Sequence, residues 1–177
     1  MREQVVLIDA TGHPIGTADK AEVHTDSTPL HLAFSCWLLD ENGRLLLTRR
    51  ALGKLTWPGV WTNSFCGHPA PGEATADAVR RRAAEELGMP DIDAITEVLP
   101  DFRYRAVDSS GVVENEVCPV FTARMAPGVE LAPNPEEVDS WVWADPRDVI
   151  SAAEATPFAF SPWLVEELAD ERLRRAL

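Results

Sequence analysis

Basic residues are in short supply: 16 lysines and arginines stand against 29 aspartates and glutamates, a net charge of −13 over 177 residues. That sign excludes a non-specific nucleic-acid binder, which needs a basic surface. It leaves room for a small anionic ligand, because a local cluster of Arg and Lys can override the net charge. Cysteine is sparse and odd in number, three in all, which suits a reducing cytoplasm and excludes a disulfide scaffold. No apolar run approaches the ~18 residues of a membrane span. The opening MREQVVLIDATG has no signal-peptide profile. Repeats, low-complexity tracts and interdomain linkers are missing as well. What remains is ordinary for a soluble globule, 45% hydrophobic and 25% charged. The expectation is one cytoplasmic domain over 1–177, a monomer, with no membrane or nucleic-acid partner. A chain of this length buries roughly two-thirds of its unfolded surface without staples.

Residues 4–9 (QVVLID) predict a first strand ending at the turn Gly12-His13-Pro14. Residues 30–39 and 44–50 predict two strands joined by the hairpin turn Asp40-Glu41-Asn42-Gly43. A long stretch rich in Trp, Pro and Gly runs from Lys54 to Gly72, and such a loop inside a compact domain points to function. Residues 74–87 predict the clearest helix, stopped by Gly88 and Pro90. Strands follow at 95–105, 113–124 and 138–143. Asp145-Pro146 opens a short helix and Ser161-Pro162 a last one, with Ser161 as its N-cap. The fold class is α+β, a mixed α/β sandwich.

On the helix, Val79, Ala83 and Leu87 share an apolar stripe, yet Glu86 falls only ~20° and Arg82 ~60° from Val79 on the wheel. Either these two form an i,i+4 ion pair on a partly exposed edge, or a metal-holding carboxylate sits beside an anion-holding guanidinium. In the strand around 113–124, the period of two places Glu114 and Glu116 on one face. They are a solvated acidic edge, or neighbours of a cation that relieves their repulsion. Of the four histidines, His24, His31 and His68 occur in functional-looking surroundings. Three imidazoles and two carboxylates would suit a mixed N/O site for Zn, Mn, Fe or Co. Cys66 lies in Asn63-Ser64-Phe65-Cys66-Gly67-His68 and is either a reactive thiol or an inert one, while Cys36 and Cys118 fall in strand patterns as buried thiols. Among the bases, Lys20, Arg49, Arg50, Lys54, Arg80, Arg81 and Arg82 are either solvated surface charge or, where they converge, a site for a phosphate or diphosphate.

Across nearly its whole length the chain resembles the type I isopentenyl-diphosphate delta-isomerases, a branch of the Nudix superfamily. The resemblance rests on Lys20 to His24, Leu30 to Ser35, Thr48-Arg49-Arg50-Ala51, the run WPGVWTNS over 57–64, Cys66-Gly67-His68-Pro69, Tyr104-Arg105-Ala106 and ENEVCPVF over 114–121. A Nudix box is present but altered. Gly67, Glu73, Arg81, Glu85, Glu86 and Gly88 keep its spacing, while Arg82 replaces a glutamate that Nudix pyrophosphohydrolases use for metal. That exchange disfavours hydrolysis.

The resemblance implies a Nudix-like fold and the reversible conversion of isopentenyl diphosphate to dimethylallyl diphosphate. It implies that His24, His31, His68, Glu114 and Glu116 bind one divalent metal (Mn2+, Zn2+ or Mg2+). Glu86 and the backbone carbonyl of Cys66 would hold a Mg2+ that bridges to the substrate diphosphate, and Lys20, Arg50, Lys54 and Arg82 would contact that diphosphate. Cys66 and Glu116 would be the opposed acid/base pair, with Tyr104 assisting Glu116. Trp61, Tyr104 and Phe158 are candidates for the aromatic wall, Phe158 standing where the resemblance expects a Trp. Two rivals are a Nudix hydrolase and a non-catalytic metal- or phosphate-binding module, which turnover and phosphate-release assays separate.

Overall fold

A computed structural model describes residues 3–177. The strands, in chain order, are β1 Gln4–Ile8, β2 Pro14–Asp19, β3 His31–Leu32, β4 Phe34–Leu39, β5 Leu45–Arg50, β6 Trp61–Thr62 and β7 Phe65–Gly67, followed by helix α1 Thr75–Leu87. Then come β8 Ile92–Leu99, β9 Arg103–Val107, β10 Val113–Val117, β11 Val120–Met125 and β12 Val138–Ala144, with α2 Pro146–Ala155, α3 Pro162–Leu168 and α4 Glu171–Ala176 at the C-terminal end. The first sheet has the order β2-β1-β3-β10-β9, and the second β12-β5-β4-β11-β8, with β6 on β5 and β7 on β4. This is the mixed α+β arrangement expected from the sequence.

Two expected strands prove to be four. The stretch 30–39 divides at Ala33, and 113–124 divides at Cys118-Pro119, where proline cannot donate a ladder hydrogen bond. The two breaks lie side by side, Ala33 N–H donating to Val117 O at 2.9 Å and Ser35 N–H to Pro119 O at 3.1 Å. At this point the parallel pair β3/β10 leaves the first sheet and continues as β4/β11 in the second. Ala33, at this crossing, lines the cavity described below. The stretch 95–105 likewise divides after Leu99, before Pro100, into β8 and β9. Strand β2 has no counterpart in the expectations, because its mostly exposed residues carry no apolar alternation.

Helix α1 buries Ala78, Val79, Ala83 and Leu87 against Phe34, Cys36, Phe65 and Phe121. Its approach to β7 depends on Gly67, where a Cβ would lie 2.7 Å from Arg82 Cγ and 3.0 Å from the Phe34 ring. Gly88 ends the helix at φ +65, and a Cβ there would also meet Ala132 O at 2.6 Å. On the other face of the second sheet, Trp37, Leu45 and Leu47 pack against Val149, Leu164, Leu168 and Leu173 of the C-terminal helices. Ser161 caps α3 by accepting from Leu164 N–H, and Asp170 starts a separate α4 where one continuous last helix was expected. Among the described residues no helix is long and apolar enough to cross a membrane.

Candidate active site

Glu116 sits on β10 of the first sheet, opposite Tyr104 on β9 and opposite His31 on β3. Strand register therefore delivers a phenol to one side of its carboxylate and an imidazole to the other. His31 Nδ1 lies 2.9 Å from the carbonyl of Pro29, which fixes the proton there and turns the Nε2 lone pair inward. His68, just past β7, and His24, in the loop before β3, complete the group. One donor atom from each of His24, His31, His68 and Glu116 lies within 4.8 Å of the others. The pairs His31 Nε2–His68 Nε2 and His68 Nε2–Glu116 Oε1 are both 3.2 Å apart, and His31 Nε2–Glu116 Oε1 is 3.3 Å. Ligands bonded to one ion at about 2.1 Å with angles between octahedral and tetrahedral stand about 3.0–3.4 Å apart, so this donor set fits a divalent metal. Burial pushes His24 down to about 4 and lowers His68, leaving neutral, ligating rings. At Glu116 burial opposes ionisation, but the His31 and His68 rings beside it hold its carboxyl well below the usual carboxylate range.

Glu114 departs from the expected five-ligand set. Its carboxylate is not among the converging donors and accepts from the Thr56 hydroxyl at 2.5 Å and from the Tyr104 hydroxyl. Burial and the charge of Glu116 raise it. The same Tyr104 hydroxyl reaches Glu116 Oε2 at 3.0 Å, so one phenol links the two carboxylates. Burial raises Tyr104 well above its ordinary value, which keeps it a donor.

A cavity of about 720 Å³ opens beside this cluster. From the first sheet it receives Tyr104, Glu114 and Glu116, and from the second Thr48, Arg50 and Cys66. The thiol and the carboxylate thus belong to different sheets and share one space. Burial pushes the Cys66 thiol well up, so it rests protonated. Lys20, Arg50, Lys54 and Arg82 all reach the same cavity. Each is engaged by neighbouring protein groups. Lys20 pairs with Glu3 at 2.6 Å, Lys54 with Glu137, and Arg50 donates to Thr56 O at 2.8 Å. Arg82 is held by Glu86, by Glu85 at 2.9 Å and by Glu137 at 3.2 Å. The Arg82–Glu86 ion pair exists, but both partners are buried and line the cavity rather than an exposed edge.

Two aromatic assignments need correction. Phe158 is 89% exposed on a short turn and does not reach the cavity. Trp61 packs with the apolar layer under the C-terminal helices, and its carbonyl accepts from Ser161 N–H at 2.9 Å. The indole at the cavity is Trp163 of α3, 2% exposed, tilted against Tyr104 with ring centroids 5.7 Å apart. Arg50 Cζ lies 5.4 Å over its ring. Trp163 was visible in sequence only as part of a helix start; nothing in the linear pattern aims it across the fold. Thr56, Glu137 and Leu55 also line the cavity without having been singled out.

The NUDIX domain profile matches residues 29–164. A curated relative from Leifsonia xyli subsp. xyli, named isopentenyl-diphosphate Delta-isomerase, is 64% identical over 168 residues, 94% of this chain and 90% of its own. One from Corynebacterium glutamicum with the same name is 56% identical, over 99% of this chain and 94% of its own. The chain belongs to the isopentenyl-diphosphate Delta-isomerase family, within NUDIX. Solved structures agree on the fold. A Deinococcus radiodurans protein superposes with TM-score 0.71 at 18% identity, over 94% of this chain and 98% of its own. A MutT protein of Methanosarcina mazei gives 0.60 at 15%, over 84% and 96%. In this NUDIX isomerase family member, Arg81 is one of the residues that keep the box pattern. Its guanidinium binds Glu73 at 2.8 and 2.9 Å and the His68 carbonyl at 3.1 Å, tying the loop that carries His68 to α1.

Proposed function

We propose that the protein interconverts isopentenyl diphosphate and dimethylallyl diphosphate by proton addition and removal on opposite faces of the alkene. One observation carries this: a protonated thiol on one sheet and a carboxylate held among imidazoles on the other open onto a single cavity that also gathers four cations. The substrate alkene has no carbonyl to acidify its allylic hydrogen. Protonating its terminal CH2 gives a tertiary carbocation, and loss of a proton from the neighbouring carbon completes the shift. Such chemistry needs an acid and a base on opposite faces. Cys66 and Glu116 supply them and exchange roles between forward and reverse directions, with Tyr104 relaying to Glu116. Trp163 and Tyr104 exclude water, and their π faces stabilise the cation.

His24, His31, His68 and Glu116 would hold a divalent metal, Mn2+, Zn2+ or Mg2+, which would fix the carboxylate and tune its acidity. Glu86 together with the Cys66 carbonyl would hold a Mg2+ beside the diphosphate. The diphosphate itself is a handle, bound by Lys20, Arg50, Lys54 and Arg82, whose binding energy orients the remote alkene. We read residues 1–177 as one domain and one copy as sufficient, because the cavity draws on residues from Glu3 to Trp163 of a single chain. Three free cysteines suit a cytoplasmic setting.

The purified protein with Mg2+, given isopentenyl diphosphate in D2O, is expected to yield dimethylallyl diphosphate carrying deuterium, read by NMR. Released phosphate without label would overturn the proposal. Lys54 adds a pH signature. Burial, with repulsion from Arg50, Arg82 and Lys20, pushes its ammonium down to about 8. Its charge is present below that pH and lost above it, so KM is expected to rise as pH passes through 8. Lys54→Arg keeps its charge throughout and should flatten that limb of a KM profile between about pH 6 and 10.

A further inference from the structure

Asn63, in the turn between β6 and β7, is fully buried, and the chemistry above gives it no task. Its amide fits only one way round. The Trp163 indole N–H can only donate, so the Asn63 atom 3.0 Å from it is the carbonyl Oδ1. On the other side, Nδ2 lies 3.0 Å from the carbonyl oxygens of both Cys36 and Phe65, which can only accept. Oδ1 therefore also accepts from Cys66 Sγ at 3.3 Å. One carbonyl ties together the thiol and the indole that share the cavity wall.

The amide is itself anchored. Nδ2 approaches Ser35 Oγ at 2.9 Å, and Ser35, the cross-strand partner of Cys66, donates onward to Glu167 Oε2 at 2.9 Å. Trp37 Nε1 donates to the same oxygen at 2.6 Å. Asn63, Ser35 and Glu167 are all fully buried, and Glu167 Oε1 has no partner among the described residues. Burial pushes Glu167 up to about 8, so it serves as a neutral hydrogen-bonding post rather than a charge. An apolar residue would fill this space at lower desolvation cost, so the network is best explained by what it orients.

We propose that Asn63, anchored through Ser35 on Glu167, is a positioning residue that sets the Cys66 sulfur against the Trp163 ring. A cysteine side chain otherwise samples three staggered wells, and only a defined one presents sulfur to a substrate carbon. This rests on the isomerase function proposed above, and wild-type turnover of isopentenyl diphosphate tests that function separately. The test compares metal-loaded wild type with Asn63→Ala, Ser35→Ala, Glu167→Met and Glu167→Gln, with kinetics normalised to folded, metal-bound protein. Asn63→Ala is expected to lower kcat about 100-fold while KM moves less than about threefold. Ser35→Ala and Glu167→Met should lose about tenfold in kcat, and Glu167→Gln, which keeps an acceptor in place, should recover most of that loss. A purely structural role would lower melting temperature and yield but leave normalised kcat unchanged. If folded Asn63→Ala turns over within about threefold of wild type, the proposal is overturned. Should Asn63→Ala fail to fold, Ser35→Ala decides, and wild-type kcat in that variant overturns it equally.

Discussion

Cys66→Ala and Glu116→Gln are each expected to lower kcat for isopentenyl diphosphate at least about 1,000-fold, with KM little changed. Both side chains line the cavity, and neither belongs to the set Lys20, Arg50, Lys54 and Arg82 proposed to bind the diphosphate. Binding survives, and proton transfer does not. Neither substitution should unfold the chain. Cys66 is only half-buried and loses one atom, and glutamine preserves the volume and most hydrogen bonds of Glu116. Circular dichroism and melting curves check the fold, and steady-state kinetics check the rate. Turnover within tenfold of wild type would remove the residue from the mechanism. Tyr104→Phe should give a smaller loss, because Glu116 keeps its contacts with His31 and His68 when the phenol is gone.

Stripping the His/Glu cluster of metal is expected to abolish turnover and to lower melting temperature by about 8–16 °C. A ligand present at a thousand times its Kd stabilises a fold by about 4 kcal/mol. For a domain of this size each kcal/mol moves Tm about 2–4 °C. Without a cation, donor atoms of three imidazoles and one carboxylate crowd within 4.8 Å of one another. Chelation followed by re-addition of Mn2+, Zn2+ or Mg2+ should restore both activity and Tm. His31→Ala and His68→Ala should show the lowered Tm from the start and respond to no added metal. An unchanged melting curve after chelation would mean that these four residues hold no ion.

Helix α1 was legible because its apolar stripe, its following glycine and its altered box all agree within one stretch of chain. Glu114 and Glu116 were legible as one face of a strand for the same local reason. The paired breaks at Ala33 and Pro119 were not, since each becomes a crossing between sheets only when the other lies beside it. Strand β2 stays exposed and leaves no hydrophobic period to find. Trp163 and Phe158 are five residues apart, one in α3 and one in the short turn before it, and linear sequence has no means of saying which of the two is buried. Thr56 was hidden for a similar reason: only folding shows that its hydroxyl binds Glu114, a carboxylate outside the four converging donors. The Asn63–Ser35–Glu167 network joins three elements distant along the chain and has no linear signature at all.

The most direct measurement is a crystal structure of the metal-loaded protein with a diphosphate analogue of the substrate bound. The Cys66 sulfur and a Glu116 carboxylate oxygen should lie on opposite faces of the analogue's flat end, with Trp163 against it and the diphosphate among the four cations. Both groups on one face, or either of them outside the analogue's reach, would contradict the account.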